Sequence, residues 1–222
     1  MNAEIKLTLP SQYLAVLGLF AAKKDIRFYL QGICLEVGPE DIYMAATNGY
    51  ILGCFHIKNR QPEITDRLDD IILPNDLLKR IRADGPVEVS IGAPLQENAG
   101  DFCYARPITL SSTDTSVRGK TVDGRFPDWR RSIPAQVTHE LAQFNIAHLG
   151  VLAKAWGILH GRGSHPYVGI GHNGQESALI SLGHADFTGA IMPIRSERVE
   201  VPNGPPDWLT GNVGTGPNVP AS

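Results

Sequence analysis

The feature that most constrains the fold of this chain is a helical pattern that occurs three times. Each copy begins at a large apolar anchor, at Leu9, Leu73 or Phe144, so the copies are 64 and 71 residues apart. Further apolar residues follow five and eight positions after each anchor, where they share one face of a helix; these are Leu14 and Leu17, Leu78 and Ile81, and Leu149 and Leu152. The pattern predicts three similar amphipathic helices. Ser11, Asn75 and Asn145 stand near their starts and are expected to cap free amides.

Strand-like segments surround each predicted helix. One short segment precedes each helix, at 5–9, 71–73 and 141–144. The segments that follow are rich in β-branched and aromatic residues; they are 27–37, 41–47 and 50–57, then 87–91, 101–105 and 108–112, then 167–170, 177–182 and 187–194. The sequence thus predicts an α+β fold with a β-α-β-β-β module used three times. Such a module must pack on a neighbour, and an odd number favours self-association.

Composition narrows the class of protein. The chain has 222 residues, of which 42% are hydrophobic and 19% charged, as in ordinary globular proteins. Its formal net charge of -3 gives no global attraction to nucleic acid, although an acidic exterior can surround a basic lining. Cys34, Cys54 and Cys103 have no CxxC spacing and are expected to be buried thiols. With no signal peptide and no membrane-spanning apolar run, we expect a cytoplasmic protein without a membrane partner.

Four segments resemble, in the same order, motifs of the bacterial DNA polymerase III beta sliding clamp family. IRFYLQG at 26–32 is similar to the strand that opens the family's middle domain, and ATNGY at 46–50 resembles its ATDGH turn. VDGRFPDWRR at 122–131 is close to the GRFPDYRR signature, and MPIR at 192–195 looks like the MPMR that ends family members. The resemblance covers about residues 4–195.

The resemblance implies a DNA-clamp fold and a division of the chain. Residues 1–135 look like a complete clamp-type domain with modules at about 1–65 and 66–135. Residues 136–195 look like the second half of the family's last domain, and 196–222 form a Pro/Gly-rich segment expected to be a flexible tail. A closed family ring contains twelve modules, so four chains of three modules would restore that number.

The family surrounds duplex DNA with a ring whose inner helices carry basic residues. Such residues contact phosphates without reading sequence, which suits a ring that slides. The candidates here are Lys23, Lys24, Lys79, Arg80, Arg82 and Lys154. Each of them could equally be an ordinary solvent-exposed residue of a helix.

The family also docks polymerase, clamp-loader and repair proteins through a short peptide. The resemblance implies a groove with an apolar lining and a few polar groups; its residues are Leu30, Thr47, Gly49, Tyr50, Leu52, Pro127, Arg131, Ser132, Asn145, His148, Met192, Pro193, Ile194 and Arg195. Leu30 and Leu52 could equally belong to the core, and Pro127 could serve only to stiffen a turn.

This chain departs from the family pattern at the groove. Where the family has Asp-Gly-His-Arg, residues 48–51 read Asn-Gly-Tyr-Ile, which predicts the loss of a cation. His148 replaces a Tyr that flanks the family's groove, and 27 residues follow Arg195. We expect Trp208 and Leu209 in that tail to occupy or shield the groove.

Other patterns are given structural interpretations. GIGHNG at 169–174 matches GxGxxG, but a strand-like segment follows it, so it predicts a β-hairpin turn more than a dinucleotide site. His160, His165, His172 and His184 are interpreted as loop residues and not metal ligands, and Asp69, Asp70 and Asp123 as turn or cap residues.

The sequence therefore predicts a sliding clamp or clamp-like processivity factor of DNA replication that is not an enzyme and needs no cofactor. Its expected partners are duplex DNA, polymerase and clamp-loader peptides, and further copies of itself, as a tetramer in the simplest case. One alternative is a clamp-like interaction protein of plasmid or phage type that binds such peptides without forming a ring. The third, a nucleotide-binding enzyme built on the glycine motif, requires cofactor binding.

Overall fold

The computed structural model describes residues 4–60, 64, 67–81, 85–95, 105–161 and 165–195, with positions 197 and 204. Its three α-helices are α1 (Ser11–Phe20), α2 (Asn75–Leu78) and α3 (Ile146–His160). Eleven strands accompany them in the described residues: β1 (Ile5–Leu9), β2 (Gly32–Val37), β3 (Asp41–Thr47), β4 (Ile51–Lys58), β5 (Leu68–Pro74), β6 (Val87–Ile91), β7 (Pro107–Ser111), β8 (Ser116–Lys120), β9 (Gly169–Gly171), β10 (Ala178–Ser181) and β11 (Phe187–Ile191).

The strands form two antiparallel sheets. One has the order β1-β6-β7-β8, and the other has the order β5-β2-β3-β4-β11-β10-β9. The larger sheet joins distant parts of the chain, because β11 pairs with β4 from Ile51↔Ile191 to Phe55↔Phe187. Backbone hydrogen bonds therefore connect the segment before residue 135 with the segment after it.

The helices lie together against the larger sheet. Helix α1 contacts β2, β3 and β4 and also packs against both α2 and α3. Phe20 of α1 is fully buried and lies 6.0 Å, between ring centroids, from Phe187 of β11. A Cβ at Gly53 would lie only 3.1 Å from the Phe20 ring, so glycine at this position of β4 lets the helix approach closely. The α+β prediction is confirmed.

Most predicted strands are present, with shifted ends. Strands β1, β3 and β6 have the predicted limits, and β9 and β10 form the antiparallel hairpin predicted at the glycine motif. Gly174 in that hairpin has φ +59, a left-handed conformation that favours glycine. The described element order contains β-α-β-β-β twice and then α-β-β-β. The number of modules and the boundaries at 135 and 195 stay predictions.

Two strand predictions were wrong, and one strand was missed. Segment 27–37 is not one strand, because a 3-10 turn at Phe28–Leu30 precedes β2. Segment 141–144 holds only an isolated bridge between Gln143 and Ile194. Strand β8 was not predicted, since Val117 is the one large apolar residue in its SVRGK sequence and gives no apolar alternation. Residues 101–104 lie outside the described residues.

The helix starts differ from one another. Asn145 caps α3 as predicted, because its side chain accepts a hydrogen bond from the Ala147 amide at 2.9 Å. Helices α1 and α2 instead follow Pro10 and Pro74, and neither has a side-chain cap in the described structure. Asn75 is buried, and its Nδ2 donates to the Gly18 carbonyl at 3.2 Å, which ties α2 to α1.

The structure also tests the roles predicted for two aspartates and the cysteines. Asp70 is not in a turn: it lies within β5 at φ 59, where the pairing with β2 shifts register, and its Oδ1 accepts from the Phe126 amide at 3.2 Å. Asp123 lies in a bend, as expected. Cys34 and Cys54 are buried, and burial raises the pKa of Cys54 to about 12. Cys103 lies outside the described residues.

Candidate peptide groove and helical face

A tight turn between β3 and β4 forms one rim of the candidate groove. Asn48 Oδ1 accepts hydrogen bonds from the amides of Tyr50 and Ile51, at 2.9 and 3.0 Å. Thr47 Oγ1 donates to the Ile51 carbonyl at 2.7 Å and accepts from the Gly49 amide at 3.0 Å. Gly49 has φ +90, which a residue with a side chain rarely adopts. The turn is therefore held by its own polar side chains, and Tyr50 remains 62% exposed.

A cavity of about 180 Å³ lies beside this turn. Leu30, Leu52 and Ala190 form its buried floor and belong to one hydrophobic cluster with Trp129. Eight of the fourteen predicted groove residues line this cavity: Leu30, Thr47, Gly49, Tyr50, Leu52, Pro127, Ser132 and Met192. Leu30 and Leu52 are thus both core residues and cavity lining.

Contacts across the groove join distant segments of the chain. The Met192 amide donates to the Tyr50 carbonyl at 2.8 Å, which continues the β4–β11 pairing. Ser177 Oγ donates to the Ser132 carbonyl at 3.0 Å. The Tyr50 ring stacks on the His148 ring, with centroids 5.6 Å apart and an angle of 22° between the planes. The cavity therefore lies where three segments that are far apart in sequence meet.

Six predicted groove residues do not line the cavity. His148 contacts it only through Tyr50, and its partial burial lowers the pKa of the imidazole below the ordinary 6.5. Asn145 caps α3, and Arg131 forms an exposed ion pair with Asp128 at 3.1 Å. Three more residues follow Met192 beyond the cavity, and the middle one pairs with Gln143: Pro193, Ile194 and Arg195.

Arg27 provides a cation that the prediction missed. Ile51 is buried in the core, so the position where the family has Arg directs no charge into the groove. The Arg27 side chain instead lines the cavity, and a Cβ at Gly49 would lie 3.1 Å from its Nη2. Asp25 holds this guanidinium at 2.8 and 3.0 Å, and these bonds lower the pKa of the carboxyl to about 2. Ile51 thus supplies no cation, as the sequence implies, but Arg27 leaves the groove with one.

Four other lining residues were also missed. Tyr29, like Arg27, lies inside the IRFYLQG motif, but only Leu30 was assigned to the groove from that segment. Ile51 lies in the altered turn. Ser177 and Ala190 lie outside all four motifs and reach the cavity through the positions of β10 and β11. Ala190 lies in the predicted strand segment 187–194, but no residue pattern there pointed to the groove.

Most of the predicted DNA-contacting residues that the structure describes lie just after a helix, and one lies within a helix. Lys23 and Lys24 are exposed in the bend after α1, and Lys79 and Arg80 are exposed just after α2. Lys154 is exposed on α3, while Arg82 lies outside the described residues. The expectation that each helix carries its own basic residue is therefore corrected, because α2 is a single turn that ends at Leu78, before Lys79 and Arg80.

Two of these lysines border a second cavity between α1 and α2. Its volume is about 410 Å³, and Lys23 and Lys79 lie at a lining that is otherwise largely apolar. Lys79 Nζ also contacts Asp76 Oδ1 at 2.9 Å, and both side chains are mostly exposed. Exposed ion pairs of this kind contribute at most about 1 kcal/mol, so Lys79 can exchange this partner readily.

The histidines serve structural roles where the structure describes contacts. His160 is the last residue of α3 and not a loop residue, and its Nε2 lies 2.8 Å from the Leu182 carbonyl. His172 accepts from the Ala142 amide at 3.1 Å, and His184 stacks edge-on against Tyr13. His165 is exposed.

Within the described ranges, no group of three His, Cys, Asp or Glu residues could hold a metal ion. In the same ranges, no helix is long and apolar enough to cross a membrane.

Comparison with curated proteins finds beta sliding clamps. The beta sliding clamp of Escherichia coli K12 is 28% identical over 143 residues, which cover 60% of this chain and 35% of that protein. That of Proteus mirabilis is 28% identical over 168 residues, which cover 70% of this chain and 40% of that protein. That of Pseudomonas aeruginosa is 31% identical over 113 residues, covering 51% and 28%. The chain thus spans roughly a third of the length of the curated relatives it matches, and no protein-family model matches it.

Solved structures show the same fold. A Pseudomonas aeruginosa sliding clamp bound to griselimycin has a TM-score of 0.61 at 19% identity, over 88% of this chain and 66% of that one. The DNA polymerase III beta chain of Streptococcus pneumoniae has a TM-score of 0.57 at 15% identity, over 88% and 66%. The chain is therefore similar in sequence to bacterial beta sliding clamps over part of its length, and it shares the α+β fold of the DNA polymerase III beta clamps over most of its length.

Proposed function

We propose that this chain is a non-enzymatic clamp-type protein of DNA replication that binds partner peptides in the groove beside Tyr50. The observation that carries the proposal is the convergence of eight predicted groove residues from separate segments on one cavity with a buried apolar floor. At about 180 Å³ the cavity is smaller than the roughly 300–1,000 Å³ typical of small-molecule sites. It suits one or two apolar side chains of an extended peptide, from a polymerase or a clamp loader.

The physical character of the lining fits such a peptide. Tyr50 and Met192 present exposed apolar surface at the rim, and buried leucines lie below them. Arg27 offers a guanidinium for an acidic or carbonyl group of the peptide. Aromatic, Met and Arg side chains around a small apolar pocket are typical of residues that dominate binding energy.

The proposed clamp acts on duplex DNA as a processivity factor in the cytoplasm. It would encircle DNA as a closed homo-oligomer, with four chains as the simplest number, and contact phosphates without sequence preference. Lys23, Lys24, Lys79, Arg80, Arg82 and Lys154 are the proposed contacts. The clamp fold and the packing of α1 against α2 and α3 support a common helical face for them.

A ring and a peptide-binding protein without a ring are distinguished by mass and by topology. Light scattering over a concentration series gives the mass, and retention on nicked circular DNA is compared before and after the DNA is cut. A closed oligomer that is retained on the circle and lost from the cut DNA supports the ring.

The second candidate is the interaction protein that binds polymerase or loader peptides without a ring. It is favoured by a contrast between two regions. The groove is well packed, whereas most of the basic residues proposed to contact DNA lie beyond the ends of α1 and α2. It predicts a monomer or dimer with full peptide affinity and no topological retention on DNA.

The segment 196–222 is proposed to regulate the groove. Trp208 and Leu209 lie outside the described residues, and the proposal rests on their being a large adjacent apolar pair in a Pro/Gly-rich segment. Deletion of residues 196–222 is expected to raise peptide affinity if the pair competes for the groove. An unchanged affinity would contradict it.

A further inference from the structure

One wall of the groove has no strand to support it. Pro127 and Ser132 line the cavity from residues 121–132, which follow β8 and hold a short 3-10 turn at Trp129–Ser132 but no strand. Pro127 and Ser132 are both exposed. Side chains outside the segment contact both of its ends: Asp70 Oδ1 accepts from the Phe126 amide at 3.2 Å, and Ser177 Oγ donates to the Ser132 carbonyl at 3.0 Å.

Glu36 of β2 holds the middle of this segment, at Trp129 and Arg130. Its Oε1 accepts hydrogen bonds from Trp129 Nε1 and Arg130 Nη1, each at 2.8 Å. Its Oε2 accepts from Arg130 Nη2 at 2.8 Å and from Arg67 Nη2 at 2.9 Å. The Glu36 side chain is 12% exposed, so water competes weakly for these bonds. Paired bonds from one guanidinium to one carboxylate also fix orientation.

The two residues held by Glu36 are packed as well as hydrogen-bonded. The Arg130 guanidinium lies 4.1 Å from the centroid of the Trp129 ring and 4.9 Å from that of Tyr43. Trp129 is 7% exposed and belongs to the same cluster as Leu30 and the rest of the groove floor. A shift of Trp129 would therefore move the wall and disturb the floor together.

The carboxylate form of Glu36 is favoured in the folded protein. Burial acts to raise its pKa, but the hydrogen bonds from Arg130 and Trp129, with the charges of Arg130 and Arg67, lower it below the ordinary value of 4.5. The contact thus stays ionised and intact at neutral pH.

We propose that Glu36, which does not line the groove, is its positioning residue: by holding Trp129 and Arg130 it fixes the wall formed by Pro127 and Ser132. The inference rests on the proposed peptide-binding function. A wall held in the bound position spares the peptide the cost of ordering it, so loss of the tether weakens affinity.

The test compares three variants with griselimycin and a fluorescent polymerase-tail peptide as probes. Glu36→Gln and Arg130→Ala are each expected to raise the Kd by about tenfold, the usual scale when a supporting partner of a site is removed. Arg67→Ala removes a donor to Glu36 without touching the wall segment, so its Kd stays within about twofold. Hydrogen exchange at 126–132 should speed up in the first two variants alone.

General destabilisation is controlled with Val117→Ala, a core change in β8 of the other sheet. It should lower Tm, as Glu36→Gln does, yet leave the Kd unchanged when binding is measured well below both transitions. If the unaltered protein binds and Glu36→Gln binds equally well, this inference alone is overturned. If the unaltered protein binds neither probe, the groove function falls and the inference with it.

Discussion

The groove and the helical face of this molecule are built in different ways. The groove stands on buried leucines, a turn held by its own side chains, and backbone pairing between β4 and β11. Those proposed DNA contacts of the helical face that the structure describes are exposed lysines and one arginine, most of them past the ends of α1 and α2. The shape of the groove is thus imposed by packing, whereas the basic face depends on side chains that the fold does not constrain.

This difference determines how each region can fail. A change at the groove rim should act on one partner through a few strong contacts. A change on the helical face should act weakly and in proportion to charge, because each phosphate contact contributes a similar electrostatic increment. The predictions below separate these two behaviours.

The largest effect is expected at the groove rim. The double variant Tyr50→Ala, Met192→Ala removes the two exposed apolar side chains, and loss of about 1.4 kcal/mol from each would raise the peptide Kd about 100-fold. Fluorescence anisotropy measures the affinity. Tyr167→Ala, which removes a similarly exposed aromatic ring outside the groove, should leave the Kd unchanged. Equal losses in both variants would contradict a localised site.

A smaller effect is expected on the helical face. Lys23→Glu with Lys24→Glu should weaken duplex binding by about tenfold and reduce the slope of log K against log salt by up to about 2. The control is Arg118→Glu on β8, because Arg118 is exposed and alternates with buried Val117, on the sheet surface away from α2. Filter binding over a salt series should show no change in slope for the control. If the control loses affinity equally, duplex binding depends on the overall charge of the protein and not on a particular helical face.

The helix caps allow a matched test of stability. Asn145→Ala removes the bond to the Ala147 amide, so the free energy of unfolding should fall by about 1 kcal/mol. Ser11→Ala, at the first residue of α1, should change it by less than about 0.5 kcal/mol, because α1 has no side-chain cap. Denaturant unfolding measures both variants. Equal losses would restore the simple sequence prediction that all three polar residues cap their helices.

The smallest effect concerns pH. Burial holds the pKa of His148 below 6.5 in the folded state, so the unfolded chain binds this proton at a higher pH than the folded one. The contribution of His148 to stability is therefore full above about 6.5 and decreases as pH falls towards the lowered pKa. His148→Gln should show a shallower decrease of unfolding free energy between pH 7 and 5. The same slope in both proteins would contradict the lowered pKa.

Sequence patterns identified the strands and helices that have strong periodicity. Strands β1, β3 and β6 were predicted to the residue because apolar positions and turn residues coincide there. The 3-10 turn at Phe28–Leu30 was missed because its aromatic sequence has high strand propensity, and tertiary contacts override such preferences. The short length of α2 was missed for a similar reason, since Leu78 and Ile81 keep helical spacing although the helix ends at Leu78.

The groove was predicted in part, and the missing residues show why. Motif resemblance identified Thr47, Gly49, Tyr50 and Met192, which lie on the turn and at the end of β11. It could not identify Ser177, because that contact depends on how β10 lies relative to the wall segment. Arg27 was missed because its role follows from the ion pair with Asp25 and the absence of a side chain at Gly49. Contacts set by tertiary packing leave no local pattern.

The central claim, that the cavity beside Tyr50 binds a partner peptide, is tested most directly by hydrogen-exchange mass spectrometry with and without a polymerase-tail peptide. The account predicts saturable protection in residues 47–52, 127–132 and 190–192, three of the segments that line the cavity. The same peptide should leave exchange in β6 and β7 unchanged, since they lie in the other sheet. Absence of protection in all three segments, or protection confined to the cavity between α1 and α2, would contradict it.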